Sequence, residues 1–212
     1  MEVFGTIVRF FQNGGLFMYP IVIILAIGLA IAIERYIYLT RSESGNRKLW
    51  EKLQPLLSNG DYAGAFEVAS KSDAAVGQVL AYGISRLRTS TNRQDVEMSM
   101  EESLLEVTPQ LEKRTHYLAV LANVATLLGL LGTIMGLIAG FTAVANVNPA
   151  EKADLLSASI SVAMNTTAFG LIVAIPLLLL HAILQTRTTA LVDSIEMASV
   201  KFLNTTRTTE PA

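Results

Sequence analysis

Cysteine is absent, which excludes disulfides and thiolate metal sites. The two histidines, His116 and His181, stand too far apart for metal-ligand spacing. There is no surplus of positive charge: 16 Lys and Arg face 18 Asp and Glu, a net charge of -2, which gives no reason to expect nucleic-acid binding. Charge is missing entirely from two long stretches, since residues 117–144 and 155–180 hold no Asp, Glu, Lys, Arg or His. Proton relays inside a membrane normally use ionisable side chains. If these stretches line an ion path, a partner must therefore supply the titrating group. A Ser–His catalytic site is not supported either. At its start the chain lacks a basic segment, with Glu2 as its first charge, so it does not read as a cleavable signal.

What is present is apolar. Hydrophobic residues make up 51% of the chain and charged residues 16%, too apolar for an ordinary soluble domain. A spanning helix needs about 20 mostly apolar residues. Three segments qualify: about 16–40, 117–145 and 155–184. The polar turn NVNPAEKAD (146–154) joins the last two into an antiparallel hairpin. Residues 1–15 form a segment before the first span. Its stretch VFGTIVRFF reads equally as a short helix lying on the membrane surface or as the tip of the first span.

Residues 41–116 are too long for a structureless loop and read as a helical domain. Pro55 and Ser58-Asn59-Gly60-Asp61 mark a break, with Asp61 as N-cap of the helix that follows. Helical spacing resumes at AAVGQVLAYGISRL. From Gln94 it runs straight into the second span, with Pro109 bending that long helix rather than ending it. Residues 185–212 continue as a C-terminal helix, and those after Asn204 read as a disordered tail. The expected fold is thus all-α, with three spans and long helical extensions. Arg35, Arg41, Arg47 and Lys48 follow the first span, Lys113 and Arg114 precede the second, and Arg187 follows the third. The positive-inside rule puts the helical domain and the C-terminus on the cytoplasmic side.

Small residues are patterned. Thr126, Gly129, Thr133, Gly136 and Gly140 are spaced 3, 4, 3 and 4, one helix face on the second span, with Gly132 beside it. Ala163, Thr167, Gly170 and Ala174 make a similar stripe on the third. Such stripes let helices approach closely. Each threonine hydroxyl has two readings, as a polar group of an ion path or as a bond to its own helix backbone. Ser157, Ser161 and Asn165 form another polar line, with Asn165 roughly opposite Thr167. A polar amide in lipid is costly unless paired, which points to an interhelical hydrogen bond between subunits. Pro176 removes a backbone hydrogen bond and is expected to kink the third span.

The run LLGLLGTIMGLIAGF (127–141) followed by TTAFGLIVAIPLLLL (166–180) resembles the ExbB/TolQ/MotA proton-channel proteins, most closely the ExbB/TolQ branch. IERYIYL after the first span and GDYAGAFEVA agree with this. The resemblance implies a multi-pass protein of the bacterial inner membrane, N-terminus periplasmic, assembling as a homopentameric ring. It implies a partner similar to ExbD or TolR, a single-span protein held as a dimer inside the ring. An aspartate on that partner carries the ion past a ring of threonines, by motif Thr133 and Thr167 here. It further implies a TonB- or TolA-like protein as the energised component, and no enzymatic activity or cofactor. The chain departs from the branch at Val162, where a glutamate is usual, and at Thr126, where a proline is usual. Thr166 beside Thr167, with Asn165 and Thr126, is similar to sodium-driven members. The resemblance implies a proton as the translocated ion, and because a neutral oxygen-rich site can replace a cation's hydration shell, sodium is the alternative. The process driven is left open, whether TonB-dependent transport, a Tol-type function or another. The competing class is a membrane scaffold without ion conduction.

Overall fold

The computed structural model describes residues 14–90, 92–145 and 147–207. The expected surface segment at 1–15 lies almost wholly outside them. The described residues form six α-helices and no strand. They are α1 (Met18–Ser58), α2 (Tyr62–Ser70), α3 (Ala75–Leu87), α4 (Arg93–Glu112), α5 (Thr115–Ala145) and α6 (Pro149–Arg207). Three stretches are long and apolar enough to cross a membrane: Met18–Ser58, Arg93–Ala145 and Pro149–Thr206. The chain divides into two compact units, an apolar one from residues 1–33 and 114–183 and a polar one from residues 34–113 and 184–212.

In the apolar unit α5 and α6 pack antiparallel, and small residues set their separation. A methyl group added at Gly129 would lie 3.3 Å from the Gly170 Cα. Gly136 meets Ala163, and Gly140 meets Ser159. At the far end His181 Nδ1 lies 3.0 Å from the Thr115 carbonyl. Gly28 of α1 faces Leu177 of α6, and Met18, Ile21 and Ile24 are buried. Lipid-length apolar helices with exposed Leu127, Leu130, Ile134 and Ile138 on α5 are what a bilayer-facing surface requires.

The polar unit is a helical bundle in which α2 packs on α3 and α3 on α4. Asp61 caps α2, its carboxylate accepting from the Gly64 amide at 2.9 Å. Asn92 caps α4 through the Gln94 amide at 3.0 Å. Asn46 of α1 accepts from the Val76 amide in the first turn of α3. Leu49, Leu53 and Leu57 of α1, Ile195 and Phe202 of α6, and Val79, Leu80 and Ile84 of α3 are buried.

Four boundary expectations are corrected. The expected break falls at Asn59–Asp61, where Gly60 takes a left-handed φ of +74°, but Pro55 itself lies inside α1, which runs on to Ser58. The helical pattern before the second span is interrupted at Lys113–Arg114, where Arg114 adopts a φ of +65°. The expected turn at 146–154 is shorter, since Pro149 opens α6 as a first-turn proline. The expected tail after Asn204 stays helical to Arg207, with residues 208–212 outside the described set. Pro109 and Pro176 lie inside continuous helices, as Pro109 was expected to.

Candidate functional site

Polar groups are scarce in the apolar unit, and two of them meet between α5 and α6. The Thr133 and Thr167 hydroxyls are in direct contact. Thr167 Oγ1 also donates to the Gly129 carbonyl at 2.9 Å. Thr133 Oγ1 lies 3.3 Å from the carbonyls of both Gly129, one turn back, and Ala163, across the interface. Four oxygens thus share two hydroxyl protons, with no charge among them. Both threonines are half-buried rather than sealed.

A hydroxyl is both donor and acceptor. Such a pair can donate to an ionised carboxylate and accept from a protonated one, so it tolerates both states of a titrating group brought to it. It can equally offer lone pairs to a small cation. Its level along α6 follows from helix geometry. His181 lies fourteen residues along α6 from Thr167, about 21 Å at 1.5 Å per residue. Against a hydrocarbon core of about 30 Å, that rise puts the pair and His181 at well-separated levels of the helix.

The other residues singled out in the sequence separate from this pair. Thr166 is buried and donates to the Gly14 carbonyl at 2.5 Å and to Val162 at 3.0 Å. Its methyl carbon lies beside Gly132, where a Cβ would approach to 2.4 Å. Thr166 therefore ties α6 to the turn ahead of α1, its hydroxyl proton committed to carbonyls and only its lone pairs left to offer an ion. Thr126 is exposed and bonds back to the Ala122 carbonyl at 3.1 Å. Asn165 is half-buried and its side chain forms no hydrogen bond among the described residues. Gly129, Gly132 and Gly140 are buried and Gly136 nearly so. Their small faces meet α6, Gly170 included, and Gly132 also meets Phe17, so within one chain the stripe serves helix packing. Ala163 and Ala174 are buried as well.

Two contacts escaped the sequence. Thr166 meets Gly14 across 152 positions, and nothing local marks that return. Arg35, read as a flanking positive charge, is 2% exposed and donates to the Leu111 carbonyl in the last turn of α4. A cation there suits the partial negative charge of a helix C-terminus. Its guanidinium also lies 4.5 Å from the Tyr38 ring centroid. Among the described residues no cluster of His, Asp or Glu could hold a metal ion.

These features define a multi-pass helical membrane protein whose intramembrane polar site is made of hydroxyls. The MotA/TolQ/ExbB proton channel family matches over residues 71–197, more than half of the chain, and the chain belongs to that family. Among similar proteins is one from Methanothermobacter thermautotrophicus described as an ExbB homologue in biopolymer transport. It is 28% identical over 199 residues, 93% of this chain and 69% of that one. The biopolymer transport protein ExbB of Aquifex aeolicus is 33% identical over 102 residues, 48% of this chain and 66% of that one. The biopolymer transport protein exbB1 of Vibrio cholerae is 38% identical over 73 residues, 34% of this chain and 32% of that one.

Proposed function

We propose that this chain is the ring subunit of an ion-driven, energy-transducing channel of the inner membrane, with its N-terminus periplasmic and its polar unit cytoplasmic. It works with a single-span partner similar to ExbD or TolR, a dimer within a homopentameric ring. The partner's intramembrane aspartate brings the ion to Thr133 and Thr167, and a TonB- or TolA-like protein takes up the work. The chain itself needs no cofactor. The ion is a proton, with sodium as the alternative that a neutral oxygen site also accommodates.

The observation that carries this reading is the half-buried Thr133–Thr167 pair, in spans without any carboxylate of their own. The pair can receive a carboxylate in either protonation state and supplies none. One observation favours the scaffold reading: Gly129 accepts from both hydroxyls, as helix packing alone would arrange. Co-purification with a co-encoded single-span protein, then ion flux in proton and in sodium gradients, separates the two. A motor subunit binds that partner and conducts with it. A scaffold assembles and conducts neither ion.

A further inference from the structure

We infer that the polar unit carries two complementary faces through which copies of this chain dock side by side. A basic stripe on α1 of one copy lies against an acidic stripe with apolar anchors on α4 of the next. The inference rests on the ring reading above only in requiring several copies.

The acidic face is left open by the fold. α4 buries Val96, Met100, Ser103, Val107 and Leu111. Its opposite side presents Met98, Leu105, Glu102 and Glu106, flanked by Glu101, all exposed. Met98 is 67% and Leu105 75% exposed, on a helix too rich in carboxylates to face lipid. Large apolar side chains presented to water within a charged rim mark an interaction surface. The basic face is on α1. With Leu49, Leu53 and Leu57 buried, Arg41, Lys48 and Lys52 stand together on an exposed side. Among the described residues none of these acidic or basic groups has an ion-pair partner. Glu102 with Glu106, and Lys48 with Lys52, are like charges four apart, an arrangement that weakens an isolated helix. Opposite charge from a neighbouring copy relieves both.

The levels also match. The Arg35–Leu111 hydrogen bond ties one end of each stripe to a common height. Arg41 is six residues from it along α1, about 9 Å, and Glu106 five residues along α4, about 7.5 Å. Lys48, about 20 Å along, reaches with its long side chain toward Glu101 and Glu102, at about 14–15 Å. Because the two faces differ, association runs head to tail, which closes into a ring when the rotation allows.

A chain without native cysteine suits the test. The full-length Arg41→Cys/Glu106→Cys variant in membranes is treated with a short bis-maleimide and run on a denaturing gel. The expected result is a ladder of multimers, absent from either single variant. In parallel, Glu106→Lys weakens assembly and Arg41→Glu in the same chain restores it. Intact oligomers without a ladder overturn the inference and leave the ring reading standing. Glu106→Cys linked to a different co-purified protein overturns it too. A wild-type chain that stays monomeric overturns both.

Discussion

Gly170 packs so closely on Gly129 that its missing side chain is what lets α5 and α6 meet. A methyl group at Gly170 would lie 2.8 Å from the Ala125 carbonyl and 3.1 Å from the Gly129 Cα. Both are backbone atoms and cannot swing aside. At Gly129 the nearest atoms are also backbone but stand at 3.3 Å. Gly170→Ala is therefore expected to strain the helix pair by about 1–3 kcal/mol, the range for overpacking, against the roughly 1 kcal/mol that alanine gains over glycine in a helix. For Gly129→Ala the strain is smaller and is offset by the roughly 1 kcal/mol that alanine gains over glycine in a helix. Unfolding of the detergent-solubilised protein should rank wild type and Gly129→Ala close together, with Gly170→Ala well below. The reverse ranking would contradict this packing.

Thr166 and Gly14 make the next case. Replacing Thr166 by Val keeps the shape and removes the hydroxyl from the buried Gly14 carbonyl and the part-buried Val162 carbonyl. An unsatisfied buried group costs about 1–3 kcal/mol, and Thr166→Ser should recover most of it. Limited proteolysis near Gly15 should quicken in the Val variant, because the turn loses its anchor. If Thr166→Val instead altered ion preference while leaving stability and proteolysis unchanged, Thr166 would belong to the ion path after all.

Arg35 is expected to be a stability residue of the polar unit. Arg35→Met removes the donor to the buried Leu111 carbonyl, and a hydrogen bond to a charged group contributes about 1.5–3 kcal/mol. Arg35→Lys should fall between, since an ammonium lacks the flat guanidinium that stacks on Tyr38. Denaturant titration followed by Trp50 fluorescence checks the order. A Lys variant as stable as wild type would show that charge alone suffices.

Much of this was legible in the sequence. The spacing of Gly129, Thr133 and Gly136 against Ala163, Thr167 and Gly170 placed two hydroxyls on facing stripes, because helix periodicity is local information. Asp61 was legible as a cap for the same reason. What the glycines meet was not: a small face fits a neighbouring helix of its own chain as well as a partner, and in the fold it lies against α6. Thr166 was legible as a polar neighbour of Thr167, while its bond to Gly14 was not, because that contact closes across 152 positions. Arg35 was legible only as a positive charge flanking the first span, because its burial depends on α4 lying against it. The break at Arg114 was hidden since the surrounding residues keep helical spacing on both sides.

Ion flux through the complex of this chain with its single-span partner tests the central claim most directly. Thr133→Val and Thr167→Val are compared with the matching Ser variants in proton and sodium gradients. Interhelical hydrogen bonds in membranes contribute on average about 0.6 kcal/mol, so assembly should survive the loss of either hydroxyl. The expected result is intact complexes in which both Val variants lose most ion-driven flux and both Ser variants retain it. Undiminished flux in an intact Thr133→Val/Thr167→Val complex would contradict the assignment and leave the hydroxyls as packing groups alone.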